Sequence, residues 1–182
     1  MMTNDVSASD EGGSRLGAVL ARLSAVLRGQ NLGTGTEAAL RRLDARRPDP
    51  RHAISLHRLF AEHGISPATP DLTVRWSAIV NALALCRGAH QRNRPCGEAL
   101  HEIGVSEQRL AMLLAADCET LIDLLPRLAR RLFASGQGMD WWPLARLTLT
   151  VGSNPDEADR MRSRIARDYV RAQVRDSNPA AA

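Results

Sequence analysis

Three observations predict an all-α fold. Apolar residues recur at intervals of three and four along most of the chain. No stretch sustains the apolar–polar alternation of a strand set between turn dipeptides. Ser, Thr, Asp or Asn stands repeatedly just ahead of an apolar-periodic run, where its oxygen can accept from the free N–H groups of a first helical turn. Together they predict a helical bundle of about eight to nine helices in two packed lobes. A chain of 182 residues is long enough for one good core, or for two small lobes sharing an interface. The expected organisation is a disordered tail over 1–15, an N-terminal helical lobe over 16–90 and a linker over 91–97. A C-terminal helical lobe over 98–175 and a frayed tail over 176–182 complete it.

The first 15 residues are rich in Ser, Gly, Asp and Asn and nearly devoid of apolar side chains, hence the expected tail. Leu16, Val19, Leu20, Leu23 and Leu27 then form an amphipathic stripe over 16–28 that ends near Gly29. The stretch 32–51, LGTGTEAALRRLDARRPDPR, holds the sharpest stop-start signal and the densest positive charge in the chain. Gly33 and Gly35 permit a tight lead-in, Thr34 or Thr36 can cap, and a helix of about three turns is expected before Pro48 and Pro50. Ala39, Leu40 and Leu43 share its inner stripe, Arg41, Arg42 and Arg46 project from the flanks, and Arg47 and Arg51 surround the exit. Residues 52–63 carry Ile54, Leu56, Leu59 and Phe60, closed by Gly64. The run 72–89, with Trp76, Ile79, Val80, Leu83 and Leu85, has little polar face and is expected to be the most buried helix.

The polar QRNRPCG segment at 91–97, broken by Pro95 and Gly97, reads as the linker and turns Arg92 and Arg94 to solvent. A short helix over 98–102 and a Ser106-capped helix over 107–116 follow. A long one over 117–135 is closed by Gly136, and Pro126 is expected to kink or split it. Asp140 caps a helix through Leu149, with one of Trp141 and Trp142 packed between the last two helices and the other over their edge. Asn154, Pro155, Asp156 and Glu157 start a terminal helix reaching about Val174.

Composition narrows the function. The formal charge is +4 and all 24 basic residues are arginine, the side chain best suited to bidentate phosphate contact. That balance permits a nucleic-acid partner. Aromatics at 3% argue against a single-strand binder that stacks bases on rings. Cys86, Cys96 and Cys118 without a signal peptide fit free thiols in a reducing cytoplasm, and no apolar run is long enough to span a bilayer. GTGTE lacks the Lys-Ser/Thr ending of a phosphate loop and no strand precedes it. Cys86, His90, Cys96 and His101 lack the close-paired spacing of a zinc site, so no metal or cofactor is expected. His52, His57 and His63 have no acidic ligand at metalloprotease spacing, and Cys118 has no identifiable companion base. No catalytic residue set emerges. The remaining signal is arginine placement. Arg127, Arg130 and Arg131 form a basic stripe on the long helix opposite Leu124, Leu128 and Leu132, with Arg109 on the neighbouring helix. The bland alternative for the first cluster is a solvated face with Glu37 paired to Arg41.

Five segments in order carry a resemblance: GTGTEAALRR at 33–42, PCGEALHEIGVSEQRLAMLLAAD at 95–117, RLARRLF at 127–133, DWWPLARL at 140–147 and RIARDYVR at 164–171. In these the chain resembles the small subunit of the type I-E CRISPR surveillance complex Cascade, the CasB family. The resemblance implies an all-helical, two-lobed, non-enzymatic subunit, present as two copies alongside the other Cascade subunits. It further implies contact with guide RNA and target DNA, including the displaced strand of the R-loop, while a separate helicase-nuclease cuts. Arg41 and Arg42 fall on the family's arginine pair, and Arg109, Arg130 and Arg131 on its C-terminal basic positions. Arg127 joins them from the stripe; Arg75, Arg92 and Arg94 are added as residues expected to be exposed near the junction of the lobes. The rival readings are a helix-turn-helix regulator, whose recognition element would be the helix after Ser106, and a helical adaptor that touches no nucleic acid.

Overall fold

The computed structural model describes residues 5–29 and 32–178, with side chains from Arg15 onward. Among the described residues nine α-helices account for the regular structure: α1 Asp5–Arg28, α2 Thr34–Arg41, α3 Pro50–His63, α4 Pro70–Leu85 and α5 Cys96–Glu102. They continue as α6 Glu107–Ala115, α7 Cys118–Ala134, α8 Trp142–Thr150 and α9 Pro155–Ser177. The all-α class holds; an isolated parallel bridge between His90 and Met139 is the sole extended pairing among those residues.

Most helices begin where a side-chain oxygen satisfies a first-turn amide. Asp49 accepts from the Arg51 amide at 2.9 Å, Thr69 from Leu72 at 3.2 Å, Asp117 from Thr120 at 2.8 Å and Asn154 from Glu157 at 3.1 Å. Ser106 caps α6 as expected, accepting from the Arg109 amide. Gly64, in the left-handed region at φ 67°, closes α3.

Several elements differ from expectation. The helix begun by the Leu16 stripe reaches back to Asp5, into the stretch expected to be a tail; residues 1–4 of that stretch lie outside the described residues. The packed Leu16–Leu27 stripe supplies the nucleus from which the helix extends towards the N-terminus. α2 is shorter than three turns and is capped by Gly33 without a side-chain bond from Thr34 or Thr36. It stops at Arg42 because Asp44 Oδ1 accepts from the amides of Arg46 and Arg47 at 2.9 and 3.0 Å, offering the backbone a turn instead of a helix. α7 runs unsplit through Pro126, and α5 begins at Cys96, inside the expected linker. Of the expected tail over 176–182, residues 176 and 177 belong to α9 and 179–182 lie outside the described residues.

The core is continuous from Leu16 to Tyr169. α4 is its centre: Ala78 to Ala84 are buried in succession, and the helix packs on α1, α2, α7 and α8. α5 lies against α9, which also packs on α8 and α6. Trp141 is buried, while Trp142 is half-buried with the Arg164 guanidinium 5.2 Å above its ring. Ile54, expected on the inner stripe of α3, is 63% exposed instead, because Leu56, Leu59 and Phe60 already define the buried face.

Candidate nucleic-acid interface

The nine arginines singled out from sequence divide into four structural groups. Arg42 and Arg130 come together: both line one open cleft of about 500 Å³ between the end of α2, its following loop and α7. Both are exposed, and among the described residues neither guanidinium has a hydrogen-bond or ion-pair partner. Arg41 lines the same cleft but is paired to Glu37 at 3.4 Å, the pairing that the bland reading foresaw.

Arg109, Arg127 and Arg131 border a second groove, of about 430 Å³, floored by Val105, Leu113, Leu124 and Leu128. Arg109 and Arg127 are exposed and, among the described residues, free. Arg131 is committed: its Nε donates to the Ile103 carbonyl at 2.8 Å and its Nη2 to that of Gly104 at 2.7 Å, which satisfies the end of α5.

Arg75 overturns its expectation. It is buried at 7% exposure, not exposed near a junction. Its guanidinium donates to Asp71 at 2.7 Å and to the carbonyls of Thr148 and Val151 at 3.0 and 2.7 Å, closing the C-terminus of α8. The i,i+4 spacing from Asp71 brings the acid to it, and α8 supplies the rest. Arg94 is likewise bound, to Glu102 and Gln137, so of the two arginines in its segment Arg92 alone keeps an exposed guanidinium free among the described residues.

The first cleft owes its form to residues that arginine counting does not reveal. Asn81, a lone amide in the apolar run of α4, is buried and donates to the Leu40 and Arg41 carbonyls at 2.8 and 3.2 Å. It anchors the C-terminus of α2 directly behind Arg42. On α7, Glu119, Asp123, Pro126 and Arg130 recur at intervals of four, three and four and so share a face. Arg46 reaches across to that face: Nε to Glu119 Oε2 at 2.8 Å, Nη1 to Asp123 Oδ1 at 2.6 Å and Nη2 to the Glu119 carbonyl at 2.8 Å. The Asp123 and Glu119 bonds raise the Arg46 pKa further above its already high value. The amides of Arg47 and Arg46 hold the Asp44 carboxyl below its usual range, so the loop keeps its charges across ordinary pH.

Unpaired guanidinium groups around an open cleft can hold tetrahedral anions by charge-assisted hydrogen bonds, a contact that reads no bases. Among the described residues no cluster of three or more His, Cys, Asp or Glu is arranged for a metal ion, and no helix is long and apolar enough to cross a membrane. Fold and site together define a class: an all-helical protein that presents arginines unpartnered among the described residues at its surface.

The particular family follows from direct comparison. The chain belongs to the CRISPR-associated protein Cse2 family, whose model matches residues 36–169, and is thereby a subunit of the type I-E Cascade complex with other Cascade subunits as partners. This is the CasB family that the five sequence segments resemble, a family of structural subunits. Comparison with curated proteins and with solved structures returned no match.

Proposed function

We propose that this subunit holds nucleic-acid backbone in the R-loop of its Cascade complex, stabilising guide RNA paired with target DNA together with the displaced strand, without catalysing a reaction. The observation that carries this reading is the meeting of Arg42 and Arg130, unpartnered among the described residues and from distant parts of the sequence, at one cleft. Arg109, Arg127 and Arg92 add exposed guanidiniums outside it. R-loop formation exchanges one duplex for another of similar stability, so a few phosphate contacts decide its lifetime. A second copy of the chain would extend the same surface along the complex.

The regulator reading fits less well. A recognition helix needs a polar face aimed at base edges. α6 buries Leu110 and Leu113 and presents Met112, 64% exposed, beside Arg109.

The test is to load a Cascade lacking its small subunit with guide RNA, add this protein, and time dissociation of a matched DNA target over a salt series. The protein lengthens R-loop lifetime. Arg42→Ala or Arg130→Ala shortens it on the order of fivefold and lowers the log–log salt slope by about 0.7–0.9 for each phosphate no longer neutralised. Unchanged retention with normal incorporation overturns the reading. Strong preference for one duplex sequence would instead favour a regulator, and salt-resistant binding an adaptor.

A further inference from the structure

The cleft contains an electrostatic contradiction. A site for phosphate gains from positive charge, yet the face of α7 that lines it also carries Asp123, with Glu119 one turn away. Both carboxylates are engaged by Arg46, from the loop that follows Arg42. As a stability device this clasp is weak: Arg46, Glu119 and Asp123 are 36%, 71% and 57% exposed, and such pairs are mostly screened by water and salt. Its geometry is nevertheless demanding. Three N–H groups of one guanidinium are used, two on carboxylates and one on the Glu119 main-chain carbonyl, so the loop is tied to the backbone of α7 as well as to its side chains.

The clasp complements two other constraints. Asn81 fixes the carbonyl end of α2 on α4, and the Asp44 carboxylate fixes the turn that carries Arg46. Arg42 lies between these attachments on the chain. Arg130 stands two turns beyond Asp123 on the same face, about 10 Å along the axis at 1.5 Å per residue. Whatever ties the loop to Glu119 and Asp123 therefore also sets the separation of Arg42 from Arg130.

We infer that Arg46 is a positioning residue of this interface: by clasping Glu119 and Asp123 it holds the 42–48 loop against α7 and sets Arg42 and Arg130 at the spacing that a phosphate backbone engages. The inference rests on the reading of the cleft as a backbone-binding site. Glu119 and Asp123 then support nucleic-acid retention although their charge repels phosphate. That opposition of sign is what makes the role measurable.

The experiment uses the reconstituted complex and compares the Glu119→Ala/Asp123→Ala protein, which removes both side-chain acceptors of the clasp, with Arg42→Ala and Arg130→Ala, reading R-loop lifetime, incorporation and thermal melting. Simple Coulomb attraction predicts that removing two negative charges from the cleft lengthens the lifetime. Positioning predicts that it shortens, by about threefold to tenfold, with melting and incorporation unchanged. A longer or unchanged lifetime in the Glu119→Ala/Asp123→Ala protein, while Arg42→Ala and Arg130→Ala still shorten it, overturns the positioning role alone. If the two alanine variants are also without effect, the backbone-binding reading falls and the positioning role falls with it.

Discussion

Arg75 shows how much a single buried side chain decides. Its guanidinium supplies donors to two carbonyls at the end of α8, groups that the helix itself cannot satisfy. Arg75→Ala leaves those acceptors buried without a donor and is expected to destabilise the protein by about 2–3 kcal/mol in urea unfolding. Arg131, bonded to two carbonyls after α5, carries a similar structural duty. Arg130→Ala alone is therefore the cleaner probe of binding than a change at both positions. His90 has the opposite chemistry. Its Nδ1 accepts from the Trp141 amide at 3.2 Å, which leaves the proton on a buried Nε2 that has no hydrogen-bond partner among the described residues. Burial pushes its pKa below the ordinary histidine value; Asp140, 3.8 Å away, opposes that shift, while Arg92 and Arg28 reinforce it. The unfolded chain thus binds this proton more readily, so stability is complete above the ordinary histidine range and falls as pH drops through it. Burial raises the Asp140 pKa, an effect of opposite sign that acts nearer the carboxylate range. The melting temperature of the native protein should accordingly decline between about pH 7 and 5.5, and His90→Gln, which keeps an acceptor but cannot titrate, should flatten that decline. Arginine content was legible in the sequence, but the carbonyl that each guanidinium meets was not. Thr148 and Val151 lie far from Arg75 along the chain and are brought to it only by packing.

Helix contacts explain where element boundaries depart from local signals. Gly97, in a segment that composition marks as a linker, is a point of backbone contact between α5 and α9. A Cβ there would stand 2.1 Å from the Ile165 carbonyl oxygen and 2.5 Å from the Tyr169 nitrogen. Neither atom can move without shifting α9, so Gly97→Ala should lower the melting temperature by about 5–10 °C. A flexible linker would tolerate the change, so differential scanning calorimetry separates the two accounts. α7 illustrates the reverse case, a strong local breaker overruled. Pro126 cannot donate to the Ile122 carbonyl, yet Leu121, Ile122, Leu125, Ala129 and Leu132 anchor the helix on both sides of it. Ile122 and Pro126 both line the open cleft, so no packed neighbour has to accommodate the proline on that side. For α2 the early stop at Arg42 frees the chain to form the Asp44 turn, and that turn delivers Arg46 to α7. A proline soon after a charged run signals a helix end, but the Asp44 turn that ends α2 sooner is visible only once both amides are seen to meet its carboxylate.

At the scale of the molecule, apolar periodicity made the class and nearly every helix legible, because each buried stripe is a local property of the chain. Leu16 to Leu27, Leu56 to Phe60 and Ile79 to Leu83 are buried as their spacing requires. What spacing cannot convey is which stripe meets which. The cleft is assembled from α2, α4 and α7, and its arrangement of Arg42, Asn81, Asp123 and Arg130 exists only through those pairings. Half of the candidate site was therefore readable as free arginines, and the scaffold that aims them was not. The central place of α4 also matters in time. This helix is apolar on nearly every side, and two of its packing partners, α7 and α8, follow it in the chain. During synthesis at about 5–20 residues per second, α4 leaves the ribosome roughly two to ten seconds before α7 is complete. For that interval its unclaimed surface is open to whatever else is sticky nearby. A nascent chain of this protein is accordingly most dependent on chaperone cover midway through translation, between the appearance of its best-buried helix and the arrival of the helix that buries it.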